Sequence, residues 1–179
     1  LSSLFESIKI PKERIAVLIG KKGATKSNIE KLAKVKIEID SKTGEVIIEP
    51  KGKDQLNYLS AINIVKAIAR GFSPKNALLL LDSETYLEII ELKEFGKTKK
   101  TLITKKGRVI GREGKIREQI QEATDTKISV LGKTIAIIGR LEGISAAKKA
   151  VEMLLQGARH ATIFKFLNEN SWKGEQFEL

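Results

Sequence analysis

The chain of 179 residues has no cysteine, which excludes disulfides, thiolate zinc sites and a cysteine nucleophile. Its only histidine is His160, so histidine-based metal centres and catalytic triads lack most of their usual residues. The surrounding QGARHATIF reads as a helix surface, and a surface role is expected for His160. Aromatic residues make up 5% of the chain, too few for recognition built on stacking platforms. No apolar run approaches the roughly 18 residues of a membrane span. The opening LSSLFESIKI has no basic segment followed by a long apolar one, so no export signal is read and the cytoplasm is the expected compartment. Carboxylates such as Asp40, Asp54 and Asp82 are scattered, with no paired spacing that would hold metal ions for hydrolysis. No cofactor is expected. Acids are also the minority charge, 22 against 33 lysines and arginines, for a net +11. Such a field draws phosphate-bearing polyanions, although a Lys- and Glu-rich surface without cysteine also marks proteins of hot environments.

What the chain does contain is a repeat. IGKKG at Ile19 to Gly23 returns 91 positions later as IGREG at Ile110 to Gly114. The same register pairs Ile29 with Ile120, Lys36 with Lys127 and Ile37 with Ile128. After each glycine loop comes a helical pattern, then an alternating strand (KIEID from Lys36, KISVL from Lys127), a turn (SKTG or GKT) and a returning strand (EVIIE from Glu45, IAIIG from Ile135). A closing helix follows, with one apolar face at Tyr58, Ile62, Val65 and Ala69 and its counterpart at Ile144, Ala147, Val151, Leu154 and Leu155. Strand-like FESIKI and TYLEIIEL, each followed by a short helical pattern, precede the loops. The unit reads strand, helix, Gly-x-x-Gly, helix, strand, strand, helix.

Between the copies, GFSPKNALLLL supplies a glycine stop, a Ser73 cap and Pro74 in a first helical turn. The expected divisions are 1–71, a helical connector over 72–84, 85–158, and a C-terminal helix and tail over 159–179. A second apolar stripe on the first closing helix, Ala61, Ile64 and Ile68, together with Leu78 to Leu81, predicts that the copies pack together and act jointly on one ligand.

Two glycines around two residues permit a tight helix-loop-helix with backbone open to close approach. The next helix aims its unpaired N–H groups and positive dipole end over the loop, where an anion fits. Lys21 and Lys22 in the first loop and Arg112 in the second add charge for phosphate oxygens. A lone Gly-x-x-Gly is usually an ordinary turn, but two in matching contexts favour a shared function. A nucleotide-binding P-loop is not supported. GKKGATKS has Thr25 where the second glycine belongs, and the GKT triplets at Gly96 and Gly132 have Glu91 and Lys127 in place of the distal glycine.

These residues resemble the type I KH domain, whose loop clamps about four nucleotides of backbone while an apolar groove receives the bases. Both copies match, over Phe5 to Arg70 and Tyr86 to Leu155. The tandem order, the connector and the tail from Gly157 through Phe164 to Leu167 are similar to the archaeal relatives of the Dim-two, or partner-of-Nob-one, ribosome-assembly proteins. The resemblance implies an α+β fold of two βααββα units with a C-terminal helical extension. It also implies binding to the three-prime end region of small-subunit ribosomal RNA in a pre-ribosomal particle, near the endonuclease Nob-one, without catalysis. In one respect the sequence departs from the pattern: Lys26 and Arg117 stand six positions after the first glycine, where many KH domains have an apolar residue.

From Lys97 to Arg117 nine basic residues face only Glu113, and this stretch runs into the second loop, as expected of an RNA-contacting surface. The expected contacts are Ile19, Gly20, Lys21, Lys22, Gly23 and Lys26 in the first copy. In the second they are Arg108, Ile110, Gly111, Arg112, Glu113, Gly114, Lys115 and Arg117. Glu113, at a helix N-terminus, is expected to interact with the dipole and to temper phosphate affinity. Trp172 and Phe177 could stack on bases or pack against protein. Two other readings remain at this point. One is a KH subunit of an RNA-degrading or transcription complex, for which an attached S1-like barrel is expected and none is visible. The other is an RNA-processing enzyme.

Overall fold

The computed structural model describes residues 5–53 and 55–169; Asp54, Trp172 and Phe177 lie outside them. The chain divides into two compact units, the first ending at Thr85 and the second beginning at Tyr86.

In the first unit β1 (Glu6–Lys9), α1 (Lys12–Ile19), α2 (Ala24–Leu32), β2 (Val35–Ile39), β3 (Glu45–Pro50) and α3 (Gln55–Ala69) follow in the order read from the sequence. The strands form an antiparallel sheet in the order β1-β3-β2, with Ile8 opposite Val46 and Ile37 opposite Ile48. Strand alternation sends Val35, Ile37, Val46 and Ile48 to one face, where they are buried together with Leu18, Ile29 and Val65. Asp40 makes the β2–β3 turn by accepting the N–H groups of Lys42 and Thr43 at 2.8 and 3.2 Å.

Helix α3 is apolar on two sides because it is covered on two sides. Tyr58, Ile62 and Val65 face the sheet core. Ala61, Ile64 and Ile68 are fully buried, and the connector, α4 (Pro74–Ala77) with the 3-10 turn Leu78–Leu81, packs on α3. Ser73 caps α4 through its hydroxyl, which accepts the Asn76 N–H at 3.3 Å, and Ala77 and Leu80 are buried. The connector thus packs, within the first unit, on the helix that carries this second apolar stripe.

The second unit repeats the plan with β4 (Tyr86–Glu91), α5 (Lys99–Ile110), α6 (Lys115–Thr124), β5 (Lys127–Leu131), β6 (Thr134–Gly139) and α7 (Leu141–Leu155). The sheet order is β4-β6-β5. Ile135 and Ile137 of β6 join Val109, Ile120, Ile144, Val151 and Leu154 in one core. The expected C-terminal helix is present as α8 (His160–Glu169). Ile163 and Leu167, one turn apart, enter the same core, and each buried aliphatic side chain contributes about 1.5–3 kcal/mol. His160 is exposed at the first position of α8, as the sequence indicated.

The copies differ in one helix. In the register that pairs Gly20 with Gly111, Lys12 pairs with Ile103, so α5 starts about one turn earlier than α1. Thr98 makes that start by accepting the Thr101 N–H on its hydroxyl at 3.1 Å.

Candidate nucleic-acid interface

Each first helix ends in a glycine whose place any side chain would occupy only at a steric cost. Gly20 has φ 74° and ψ 173°, and Gly111 has φ 73° and ψ 176°, a region open essentially to glycine alone. A Cβ on Gly20 would stand 2.3 Å from Thr25 Oγ1 and 2.7 Å from the Thr25 backbone nitrogen. On Gly111 it would stand 2.2 Å from Ile116 Cγ1 and 2.9 Å from the Ile116 nitrogen. The second glycines, Gly23 and Gly114, also have positive φ, 76° in both, but they face open space. Nothing lies within 4 Å of a Cβ on Gly23, and only Arg117 Nη2, at 3.6 Å, lies near one on Gly114. The first glycine of each pair packs the two helices together, and the second leaves room for a ligand.

Between them, Lys22 and Glu113 occupy the same left-handed conformation, φ 53° in each, a conformation that costs a non-glycine residue roughly 1–2 kcal/mol. Such strain persists only where the surroundings enforce it, and it collects at functional sites. The loops close on themselves as Gly23 N–H donates to the Gly20 carbonyl at 3.1 Å and Gly114 N–H to that of Gly111 at 3.3 Å. Helices α2 and α6 then begin with Gly23 and Gly114 as caps, and neither start has a side-chain cap. Their first N–H groups are free of side-chain partners beside the loop, an anion-binding arrangement. Lys21 and Lys22 are exposed over the first loop, and Arg112, Glu113 and Lys115 over the second, while Ile19 and Ile110 are half-buried at the helix ends.

Glu113 does not cap α6. Its carboxylate lies 3.6 Å from Lys115 Nζ, with both side chains largely exposed, an arrangement that contributes little stability. What remains is its charge beside the phosphate site. Glu113→Gln is expected to tighten binding to arbitrary single-stranded RNA by about 2- to 5-fold at low salt with little change in melting temperature. Weaker binding in a filter or fluorescence titration would mean that Glu113 contacts RNA directly.

The two cations six positions after the first glycine are held differently. Lys26 Nζ pairs with Glu30 Oε1 at 3.2 Å, and the same oxygen accepts the Ile37 N–H at 2.8 Å, tying α2 to β2. Burial pushes the Glu30 carboxyl pKa up, but the Ile37 N–H and Lys26 outweigh it and hold the group below its ordinary value. Glu30 thus stays ionised and neutralises Lys26. In the second copy Gln121 stands at the equivalent place. Its Oε1 accepts the Ile128 N–H at 2.7 Å, so the tie between helix and strand is kept without the charge. Arg117 has no carboxylate of this kind beside it, its Nε is buried without a hydrogen-bond partner, and its Nη2 lies next to Gly114. Burying an unsatisfied donor costs about 1–3 kcal/mol. The second site therefore keeps a free guanidinium where the first has a neutralised lysine. The pairing of Glu30 with Gln121 was available from the repeat register, since each stands seven positions before an aligned isoleucine. Arg108 is directed elsewhere: its Nη2 donates to the Ala158 carbonyl at 2.5 Å, in the segment between α7 and α8.

The scattered carboxylates serve turns. Asp40 holds the β2–β3 turn, and Asp82 accepts the Glu84 N–H at 3.1 Å and the Thr85 hydroxyl at 3.1 Å. Among the described residues no group of three or more His, Cys, Asp and Glu side chains could hold a metal ion.

Two βααββα units, each with a Gly-x-x-Gly loop feeding an uncapped helix, define a tandem KH-domain protein of type I. Residues 5–67 match the KH domain family, and residues 86–172 match the eukaryotic type KH-domain (KH-domain type I). The KH domain-containing protein MJ0443 of Methanocaldococcus jannaschii is 48% identical over 178 residues, 97% of this chain and 78% of that protein. The crystal structure of Dim2p from Pyrococcus horikoshii OT3 superposes with a TM-score of 0.88 at 48% identity, covering 93% of this chain and 99% of that one. The aDim2p complex with a/eIF2alpha and rRNA from the same organism gives 0.90 at 46%, with 96% of each chain covered. The pre-rRNA-processing protein PNO1 of Chaetomium thermophilum is 30% identical over 108 residues, 59% of this chain and 42% of that protein. The chain spans about half the length of the eukaryotic relatives it matches. It belongs to the archaeal Dim2/PNO1-like family of two-KH-domain proteins.

Proposed function

We propose that this protein is a non-catalytic RNA-binding factor of small-subunit ribosome assembly. It holds single-stranded RNA at both Gly-x-x-Gly loops, and its RNA is the three-prime end region of small-subunit ribosomal RNA within a pre-ribosomal particle. The observation that carries the reading is the duplicated loop. In both copies the backbone adopts the same strained geometry, the second glycine faces open space, and an uncapped helix start and exposed cations lie beside it. Two kinds of relative support the choice of RNA: a Pyrococcus homologue crystallised with rRNA and a/eIF2alpha, and fungal homologues that are pre-rRNA-processing proteins. Partner proteins of the same kind, an a/eIF2alpha-like factor and the endonuclease Nob-one, fit this role, and the cytoplasm is its place. No helix among the described residues is long and apolar enough to cross a membrane.

The test is the salt dependence of binding to single-stranded RNA. Each neutralised phosphate contributes roughly 0.7 to the log–log slope, so two occupied loops give a slope well beyond 1. Affinity that is flat between low and physiological salt would overturn the phosphate-clamp reading. Cleavage of the RNA by the pure protein with magnesium or manganese would overturn the non-catalytic part.

A further inference from the structure

A pocket of about 300 Å³ opens between α5 and the C-terminal end of α7, lined by Lys100, Thr104, Lys105 and Arg108 among others, and no carboxylate lines it. Two of its cations are engaged with backbone. Lys105 Nζ donates to the Leu155 carbonyl and Arg108 Nη2 to that of Ala158, so Lys105 caps α7, whose last carbonyls form the negative end of the helix dipole, while Arg108 holds the segment that leads to α8. Capping does not account for the whole cluster. In the first unit Arg14 alone does the same work, donating to the Ile68 and Phe72 carbonyls at 2.8 and 2.7 Å. The second unit uses two cations and adds a third, Lys100, on the extra turn of α5 that α1 lacks. The hydrogen bonds fix the Lys105 and Arg108 side chains at the wall and leave each with further N–H groups. Arg108 Nε is buried with no partner.

We propose that this pocket is a second phosphate subsite of the second KH unit, taking a phosphodiester of the same RNA strand that the Gly111–Gly114 loop holds. The inference rests on the RNA-binding function proposed above and extends it. Three cations around one pocket without an acid call for an anionic group, and the shallow depression of about 300 Å³ offers room for one beside them. The pocket also lies on the way out of the loop. Lys100 precedes Gly111 by eleven residues, about 16 Å along the helix at 1.5 Å per residue, and Arg108 by less than one turn. A strand leaving the loop along α5 covers that distance in a few nucleotides at about 3.4 Å or more each. The second copy thereby grips a longer stretch of RNA than the first, with its charge on the flank instead of in the loop, where Arg112 and Glu113 cancel.

The experiment is Lys100→Glu in the full chain, titrated with a four-nucleotide and a twelve-nucleotide single-stranded RNA beside the unaltered protein. Lys100 is exposed and takes no part in the capping contacts, so thermal unfolding should be unchanged. The expected result is a loss of about 5- to 20-fold for the longer RNA, a salt slope lower by roughly 0.7, and no change for the shorter RNA. Equal losses for both RNAs would mean a general field effect and would overturn the subsite. Unchanged affinity for the longer RNA would also overturn it, leaving the pocket to capping alone or to an acidic protein segment. If the unaltered protein bound neither RNA at low salt, the functional reading would fail and this inference with it.

Discussion

Gly111→Ala is expected to lower the melting temperature of the second unit by about 15 °C or more, whereas Gly114→Ala, three residues on, lowers it by about 5–10 °C. Both positions have positive φ, so the difference comes from packing. An alanine at 111 enters a backbone region closed to side chains, at a cost of order 1–3 kcal/mol. It also drives its methyl into Ile116, 2.2 Å from Cγ1 and 2.9 Å from the backbone nitrogen, and while the side chain could turn about χ1, the nitrogen cannot move without shifting the start of α6. In a domain of this size each kcal/mol moves the melting temperature by about 4–8 °C. At 114 the added methyl meets only the end of Arg117, so the cost is the left-handed conformation alone, roughly 1–2 kcal/mol. That methyl occupies the space where a phosphate would approach, so RNA affinity should fall while the fold survives. Gly20→Ala and Gly23→Ala should repeat the contrast in the first unit, with Thr25 as the obstacle. Equal melting shifts for the two glycines of a pair, read by circular dichroism, would refute this division of labour.

Reversing both charges of the first loop, Lys21→Asp with Lys22→Asp, is expected to weaken single-stranded RNA binding on the order of 10- to 100-fold at low salt. The salt slope should fall by about 1.4, two contacts at roughly 0.7 each. Both side chains are exposed, and aspartate tolerates the left-handed conformation of position 22 better than lysine does, so stability should not suffer. Unchanged affinity with an intact dichroism spectrum would remove the first loop from the binding site. The Lys26–Glu30 pair sharpens this test: with Lys26 neutralised by its neighbour, the first copy has little charge near the loop except Lys21 and Lys22 to hold a phosphate.

Much of this was legible in the sequence because the chain states it twice. Two loops 91 residues apart fix one register, and in that register the strands were placed to within a residue and the helices in their order: KISVL is β5, and IAIIG falls short of β6 by Thr134 alone. Period-two alternation and glycine punctuation depend on neighbouring residues, so local sequence is enough to reveal them. The choice of exposed loop residues follows from the same logic, because glycine spacing and cation content are local properties.

Other features were decided by partners distant in the chain. The apolar stripe Ala61, Ile64 and Ile68 announced a partner but not which one, and the connector, reversing after Gly71, supplies it from within the same unit. Lys26 and Arg117 look alike in the alignment. Four positions on, at helical spacing, Glu30 follows the first and Gln121 the second, so this difference was legible in the repeat register; what the fold adds is the helix–strand hydrogen bond that fixes either side chain against the next strand. Glu113 was read as a helix-end carboxylate, yet a left-handed backbone turns it toward Lys115. The basic stretch before the second loop was visible as charge alone. Its division into cations held by backbone carbonyls and Lys100, which is not, required the carbonyls of Leu155 and Ala158, some fifty residues away, to be brought up to α5. Sequence alone determined the repeating unit, its glycine loops and the sign of the ligand's charge, since these depend on spacing and composition. Tertiary structure decided which charges remain free for that ligand, since a charge is neutralised or left available by neighbours that only folding brings within hydrogen-bonding distance.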